Sequence, residues 1–351
     1  MKYGKIKIEG GMIHFTAHRR SGTISCLEIV WAYHKRDHEG ERTFDRQLVS
    51  NYLVVVTRKS REFQFAMSER EVYECLNLLR ALNPEIAVTY PESSRKLFQN
   101  LTNTRDLGGI ETNEGKRILP CRILRGGELY HASGTDRQML ESDYRLRTVI
   151  DLRSSSERHL RPDDVIPNCE YFHIPLLDES SFNYFQEGNL TDQITSIEGD
   201  PQTYLKEQYL HMIHDPYTVG QIARVLEIIR ANQSGAVLVH DGMGKDRVDM
   251  VIMFFLSILG VPRESIRAEY MKSNAALAPE KQYALELMAS RGFEKRILEN
   301  RIRSIYEVKV NYLDAVFYSI EAEYGSVSHF LKRGLYITPK ASDDLREKYL
   351  I

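Results

Sequence analysis

Eight consecutive residues, His240, Asp241, Gly242, Met243, Gly244, Lys245, Asp246 and Arg247, set an imidazole, two carboxylates, an ammonium and a guanidinium around two glycines. An apolar run at 235–240 leads into them and a strongly apolar stretch, 247–259, leads out, which predicts strand, loop and helix. A loop so placed aims successive backbone N–H groups and the positive end of the helix dipole at one point, a ready anion site. Gly242 to Lys245 supply the backbone, the two glycines allowing it to fold tightly. Arg247 on the first helical turn offers a planar fork that matches two oxygens of a phosphate, and Lys245 adds a point charge. Phosphate is the expected anion. The plain alternative is an ordinary turn with solvated Lys and Arg. A Walker-type loop fits poorly, because Val239 stands where its first Gly belongs and Asp246 where its Ser or Thr belongs.

The elements that must position this loop read as an α/β layer. Residues 146–152 (LRTVIDL) and 235–240 (GAVLVH) have the apolar, β-branched character of parallel strands buried on both faces. Helical spacing runs over 204–214, 219–231 and 247–259, and from 263 onward the chain is almost all helical in period, with breaks expected near Pro279, Gly292, Gly325 and Pro339. Asp151 and Arg153 end a predicted strand, where ligands of such sheets gather, and are expected to orient Arg247 or the loop, with a structural role as the alternative. Residues 1–85 differ. Period-two segments at 5–8, 12–16, 23–33, 51–57 and 62–67 precede one helix, for which Ser68 and Glu71 form a capping box and which Asn83-Pro84 stops. Residues 86–104 have the composition of a linker.

The loop sequence HDGMGKDR resembles the H-C-x-x-G-K-D-R-T-G signature of the atypical tyrosine and dual-specificity phosphatases of bacteria and fungi, some of which also act on phosphoinositides. NTRDLGG at 103–109, Tyr130-His131-Ala132-Ser133, TVIDLR at 148–153, Ile174-Pro175-Leu176, residues 260–274 and Tyr324-Gly325-Ser326 resemble further segments of that family in order. The resemblance implies a tyrosine-phosphatase-like domain over 105–351, metal-free phosphomonoester hydrolysis with no cofactor, and a phosphorylated protein or phosphoinositide as ligand. By the same resemblance Asp246 is the proton donor to the leaving oxygen, with a structural carboxylate as its alternative. His240 holds the loop by hydrogen bonding rather than by ligating a metal, and Asn103, Arg105 and Asp106 stabilise the fold. The order of elements in residues 1–85, antiparallel strands closed by a helix, resembles the pleckstrin-homology superfold.

The departures fall on the chemistry. In that family a cysteine six positions before the arginine attacks phosphorus as a thiolate, and a following Thr or Ser hydroxyl supports it. Here the two positions hold Asp241 and Val248, and Asp249 replaces the usual Gly. A carboxylate nucleophile in other folds relies on magnesium and a D-x-D arrangement, absent here because Gly242 and Met243 follow Asp241. The expectation is that Asp241 occupies its own anion site, accepts the loop N–H groups, pairs with Arg247, has a lowered pKa and meets an incoming phosphate with like charge, which weakens binding as well as catalysis. The chain then reads as a pseudophosphatase that binds a phosphorylated ligand. The rival is an active phosphomonoester hydrolase, its nucleophile substituted in this chain or replaced by Asp241.

Composition bounds the remainder. With 351 residues and 42% apolar content, two domains each have material for a core. Lys plus Arg number 47 against 49 Asp plus Glu, so no overall basic field for nucleic acid exists. The run 250–261 is shorter than the roughly 17 to 25 residues of a membrane span, and no signal-peptide core opens the chain, which makes a cytoplasmic setting the expectation. The four cysteines, Cys26, Cys75, Cys121 and Cys169, are too scattered for a disulfide framework or a zinc cluster. His18, Arg19 and Arg20, in an expected early loop, leave the N-terminal domain open to peripheral membrane contact or to a solvated role.

Overall fold

The computed structural model describes residues 2–3, 5–17, 20–38, 49–90, 98–178, 199–291 and 295–351, with 2–3, 17, 20, 37–38, 49 and 295–298 described by backbone alone. His18, Arg19, the Glu39-Gly40 turn and Gly292 lie outside the described residues, and Arg20 is described by backbone only. The chain divides into two units, one of residues 1–97, 118–121 and 351, the other of 98–117 and 122–350.

In the first unit the alternating segments become strands because their apolar positions share one face. Strands β1 (Lys2–Tyr3), β2 (Ile6–Glu9), β3 (Met12–Ala17) and β4 (Arg20–Ser25) form an antiparallel meander. The segment expected as one strand over 23–33 is broken. A 3-10 turn at Cys26–Glu28 interrupts it, its first N–H groups capped when Leu27 N donates to Ser25 Oγ. Strands β5 (Ile29–His38), β6 (Val49–Thr57), β7 (Glu62–Ala66) and β8 (Ala87–Thr89) make a second sheet in the order β7-β6-β5-β8. The helix Glu69–Leu82 starts at a complete Ser68–Glu71 capping box and buries Val72, Leu76 and Leu79 against Ile8, Ile13, Ile24, Leu53 and Val55. Within the span 86–104 expected as a linker, residues 87–89 form strand β8, which runs parallel to β5, and Trp31 Nε1 donates to Thr89 Oγ1 at 2.8 Å.

The second unit holds a five-stranded sheet of β9 (Arg105–Asp106), β10 (Ile123–Gly126), β11 (Leu146–Asp151), β12 (Glu170–His173) and β13 (Ala236–His240). The order is β12-β11-β13-β10-β9, all parallel except β9. Every residue of β13 is buried, and β13 lies between β10 and β11, where the order of connection reverses. In open α/β sheets this is the crevice that takes ligands, outside the carboxyl ends of the strands. The helix Asp246–Leu259 leaves that end of β13, and nearly all its residues are buried because helices Pro216–Ala231, Arg263–Ala276, Val327–Arg333 and Pro339–Tyr349 pack around it. Gly260, at φ 79°, closes the helix in the left-handed conformation. Pro279 and Pro339 sit in the first turns of helices Ala278–Ser290 and Pro339–Tyr349, so each prolines' break precedes it; Gly325 caps Val310–Tyr324.

Candidate active site

After His240 the chain leaves the sheet and folds over Asp241. Met243 N and Gly244 N donate to Asp241 Oδ1 at 2.9 and 2.7 Å, and Val248 N to Oδ2 at 3.3 Å. An aspartate accepting N–H groups two and three residues on is a self-closing turn. Here it also takes an N–H from the first turn of the following helix, whose dipole favours a negative group. Gly244 is at φ 69°, and a Cβ there would come within 2.4 Å of Gly126 C and 2.6 Å of Gly127 N. Only glycine meets both conditions. The loop carbonyls turn the other way. Asn103 Nδ2 donates to Met243 O and Gly244 O at 3.0 and 2.7 Å, and Arg125 Nη2 to Gly244 O at 2.6 Å. With carbonyls held outside, the N–H groups converge inside.

Arg247 points along this floor. Its Nε lies 3.8 Å from Asp241 Oδ2, while its two terminal nitrogens donate to Glu157 at 2.7 and 2.8 Å. Glu157 is fixed in turn by the capping box of helix Ser155–Leu160, where Ser154 N donates to its Oε2 at 2.8 Å. Burial acts to raise the Glu157 carboxyl, yet Arg247 and Ser154 hold it below the usual range. Arg153, expected with Asp151 to orient Arg247 or the loop, binds Asp151 through Nε and Nη2 at 2.9 and 2.8 Å, Asp163 at 2.9 Å and Glu128 at 3.2 Å. His240 joins this group, Nε2 lying 3.1 Å from Asp163 Oδ2. Burial opposes the imidazolium, but Asp151 and Asp163 outweigh it and raise the His240 pKa. Asp151, Asp163 and His240 lie close enough to share a metal ion. The Arg153 guanidinium already bridges the two carboxylates, which makes this an ion-pair cluster anchoring the end of β13.

Lys245 and Asp246 are both buried and paired, with Nζ 2.8 Å from Oδ2. Tyr209 Oη donates to Asp246 Oδ1 at 2.7 Å and lies 3.4 Å from Asp249 Oδ2. Burial, with Asp246 and Tyr270 beside it, pushes the Tyr209 phenol well up, so it stays a donor. Asp249 pairs with Arg125, yet burial pushes its pKa up to about 6 against that partner. Asp241 reverses the expectation of a lowered pKa. Burial raises it, reinforced by Asp246 and Glu157, against the pull of Arg247 and the Gly244 N–H. Arg105, expected only to stabilise the fold, pairs with Glu269 on helix Arg263–Ala276 and donates from Nη1 to Asn103 O at 3.1 Å, fixing the residue that holds the loop carbonyls.

The structure thus brings His240, Asp241, Met243, Gly244, Lys245, Asp246 and Arg247 into one closed loop, with Asp151 and Arg153 behind His240. Sequence reading missed Glu157, Arg125, Tyr209 and Asp163. Two left a signal: Ser154 followed three residues on by a glutamate, and Arg125 as a lone charge in an apolar strand.

Residues 97–351 match the profile of the tyrosine phosphatase family. A candidate tyrosine-protein phosphatase of Cupriavidus necator is 27% identical over 242 residues, covering 68% of this chain and 84% of that protein. The triple specificity protein phosphatase PtpB of Mycobacterium tuberculosis is 24% identical over 256 residues, covering 66% and 90%. A phosphate-type loop at the end of a central parallel strand, inside a family match that spans the whole second unit, places the chain in the tyrosine phosphatase family.

Proposed function

We propose that this chain is a catalytically silent member of the family, a pseudophosphatase whose loop keeps the family's anion-binding architecture and recognises a phosphomonoester on a phosphorylated protein or a phosphoinositide. The observation that carries the reading is the placement of Asp241, whose carboxylate takes the N–H groups of Met243, Gly244 and Val248. Attack on phosphorus needs an unshared, exposed nucleophilic atom in line with the leaving oxygen. Both Asp241 oxygens are engaged instead, and the residue is 3% exposed. Val248, also buried, contributes no hydroxyl. Asp246, the expected proton donor, is held by Lys245 and Tyr209.

The N-terminal unit we read as a pleckstrin-homology-like module. A four-stranded meander, a three-stranded meander and a capping helix follow one another in chain order, with β8 added at the edge. Four free thiols fit a reducing, cytoplasmic setting.

The test assays the unaltered chain, Asp241→Cys and Asp241→Cys with Val248→Thr on phosphotyrosine and phosphoinositide substrates without metal. No turnover is expected from the unaltered chain, with activity rising at least tenfold from the single to the double variant. Robust metal-free turnover by the unaltered chain would overturn the reading and return Asp241 to consideration as a nucleophile.

A further inference from the structure

The seat that an oxyanion needs in this loop is defined by the N–H groups of Met243 and Gly244 and by Arg247, and all three face the carboxylate of Asp241, while the Val248 N–H, donated to Lys245 O at 2.7 Å, reaches Asp241 only at 3.3 Å. A carboxylate and a tetrahedral dianion cannot share these donors, because two like charges at hydrogen-bond distance from the same groups repel strongly in a buried site. Ligand and Asp241 therefore compete, and the contest depends on the charge of Asp241. We propose that Asp241 makes this loop an acid-gated oxyanion site: ionised, it closes the seat with its own oxygens; protonated, it yields the N–H groups and Arg247 to a phosphate monoester. The proposal rests on reading the loop as a silent phosphate pocket and adds how that pocket is regulated.

The surroundings bias Asp241 toward accepting a proton. Asp246 beside it and Glu157, brought over from helix Ser155–Leu160 by Arg247, are carboxylates facing it, and Asp249 lies in the first turn of the same helix. Arg247, Lys245 and Arg125 oppose them, but each is already committed, to Glu157, Asp246 and Asp249 respectively. His240, the preceding residue, has Nε2 3.1 Å from Asp163 Oδ2 and Nδ1 3.5 Å from the Asp241 carbonyl oxygen. Oδ1 holds two short N–H contacts, whereas Oδ2 holds one at 3.3 Å and lies 3.8 Å from Arg247 Nε. Neutral Asp241 has lost the charge that its N–H contacts favour, and rotation about its side chain leaves the Met243 and Gly244 N–H groups to the incoming anion. Burial, which raises the Asp241 pKa, moves this exchange upward from the range of an exposed aspartate.

Sulfate is the probe, because its charge stays constant over the range used and any pH dependence must come from the protein. Binding to the full chain is measured by titration calorimetry between pH 4.5 and 8, for the unaltered protein, Asp241→Asn and Asp241→Ser, with thermal unfolding confirming that each is folded. For the unaltered chain affinity should fall about tenfold per pH unit above the ionisation of Asp241, as expected when one proton is bound with the ligand. Both variants should bind at pH 8 as tightly as the unaltered chain does at pH 4.5, with a flat profile. A flat profile in the unaltered chain, the same slope surviving in both variants, or no sulfate bound by any of the three would overturn the proposal. Asp249, pushed up to about 6, and His240, raised by Asp151 and Asp163, remain in both variants, so a surviving slope would assign the effect to these residues and not to Asp241. A phosphotyrosine peptide and a soluble inositol phosphate are compared at pH 5: either one binding at least as tightly as sulfate supports the ligand class and names its source, and neither doing so overturns it. Turnover by the unaltered chain, read separately, bears on the silent-pocket reading alone.

Discussion

Asp241 presents two oxygens in one plane where a thiolate presents a single sulfur, so it can satisfy donors on two sides of the loop at once. Oδ1 takes the N–H groups of the turn and Oδ2 that of the helix. Buried acids of this kind leave a mark on stability. Asp249 titrates at about 6 in the folded chain, above the roughly 3.9 of an unfolded aspartate. A raised folded pKa contributes stability that is fully present below the unfolded value and lost as pH rises through the folded one. Denaturant unfolding should therefore show stability declining by about 2–3 kcal/mol between pH 4 and 6.5 through this residue. Asp249→Asn should flatten that part of the profile, and an unchanged profile would remove Asp249 as its source. Glu157 behaves oppositely. It is held low by Arg247, and Glu157→Ala strands a buried guanidinium, so the variant should lose about 3–5 kcal/mol at neutral pH.

At the scale of elements, the loop is a contact between two backbones. Gly244 of the β13–helix connection lies against Gly126 and Gly127 at the end of β10, and Gly127 N donates to Thr102 O at 2.9 Å. No side chain fits in this approach, and the positive φ of Gly244 adds strain for any other residue. Gly244→Ala should destabilise the chain by about 2–4 kcal/mol, combining the conformational penalty with displacement of β10. The check is whether sulfate binding at acid pH falls together with the unfolding midpoint. Binding retained at full strength would show that the loop tolerates a different path. The β10 strand escaped sequence reading because ILRG is short and ends in charge and glycine. Only pairing with β13 and burial on both faces identify it.

For the whole molecule, the division into units does not follow the chain. Residues 118–121 and 351 belong with the N-terminal unit, where Leu119 is buried with Trp31, Val56 and Ala87. Trp31 is the single tryptophan of the sequence, so its fluorescence reports on this cluster. Leu119→Ala should red-shift Trp31 emission and lower the stability reported by it by about 2–4 kcal/mol, the usual effect of truncating a buried leucine. Unchanged emission would place Leu119 elsewhere. Among the described residues no helix is long and apolar enough to cross a membrane.

Local chemistry was legible along the chain: the strand, loop and helix at 236–259, the capping box at Ser68, the glycine demanded at 244 and the missing thiol at 241 all depend on near neighbours in sequence. What depended on remote residues was not. Glu157 reaches Arg247 across 90 positions, Arg125 reaches Gly244 across 119, and Asn103 reaches it across 141. Residue types announced an anion site, but charge balance within it depends on which buried partners come together and how far water is excluded. Tertiary structure alone decided that Arg247 answers to Glu157, that Asp151, Arg153 and Asp163 gather at His240, and that burial raises the proton affinity of Asp241 where local contacts alone argued for a decrease.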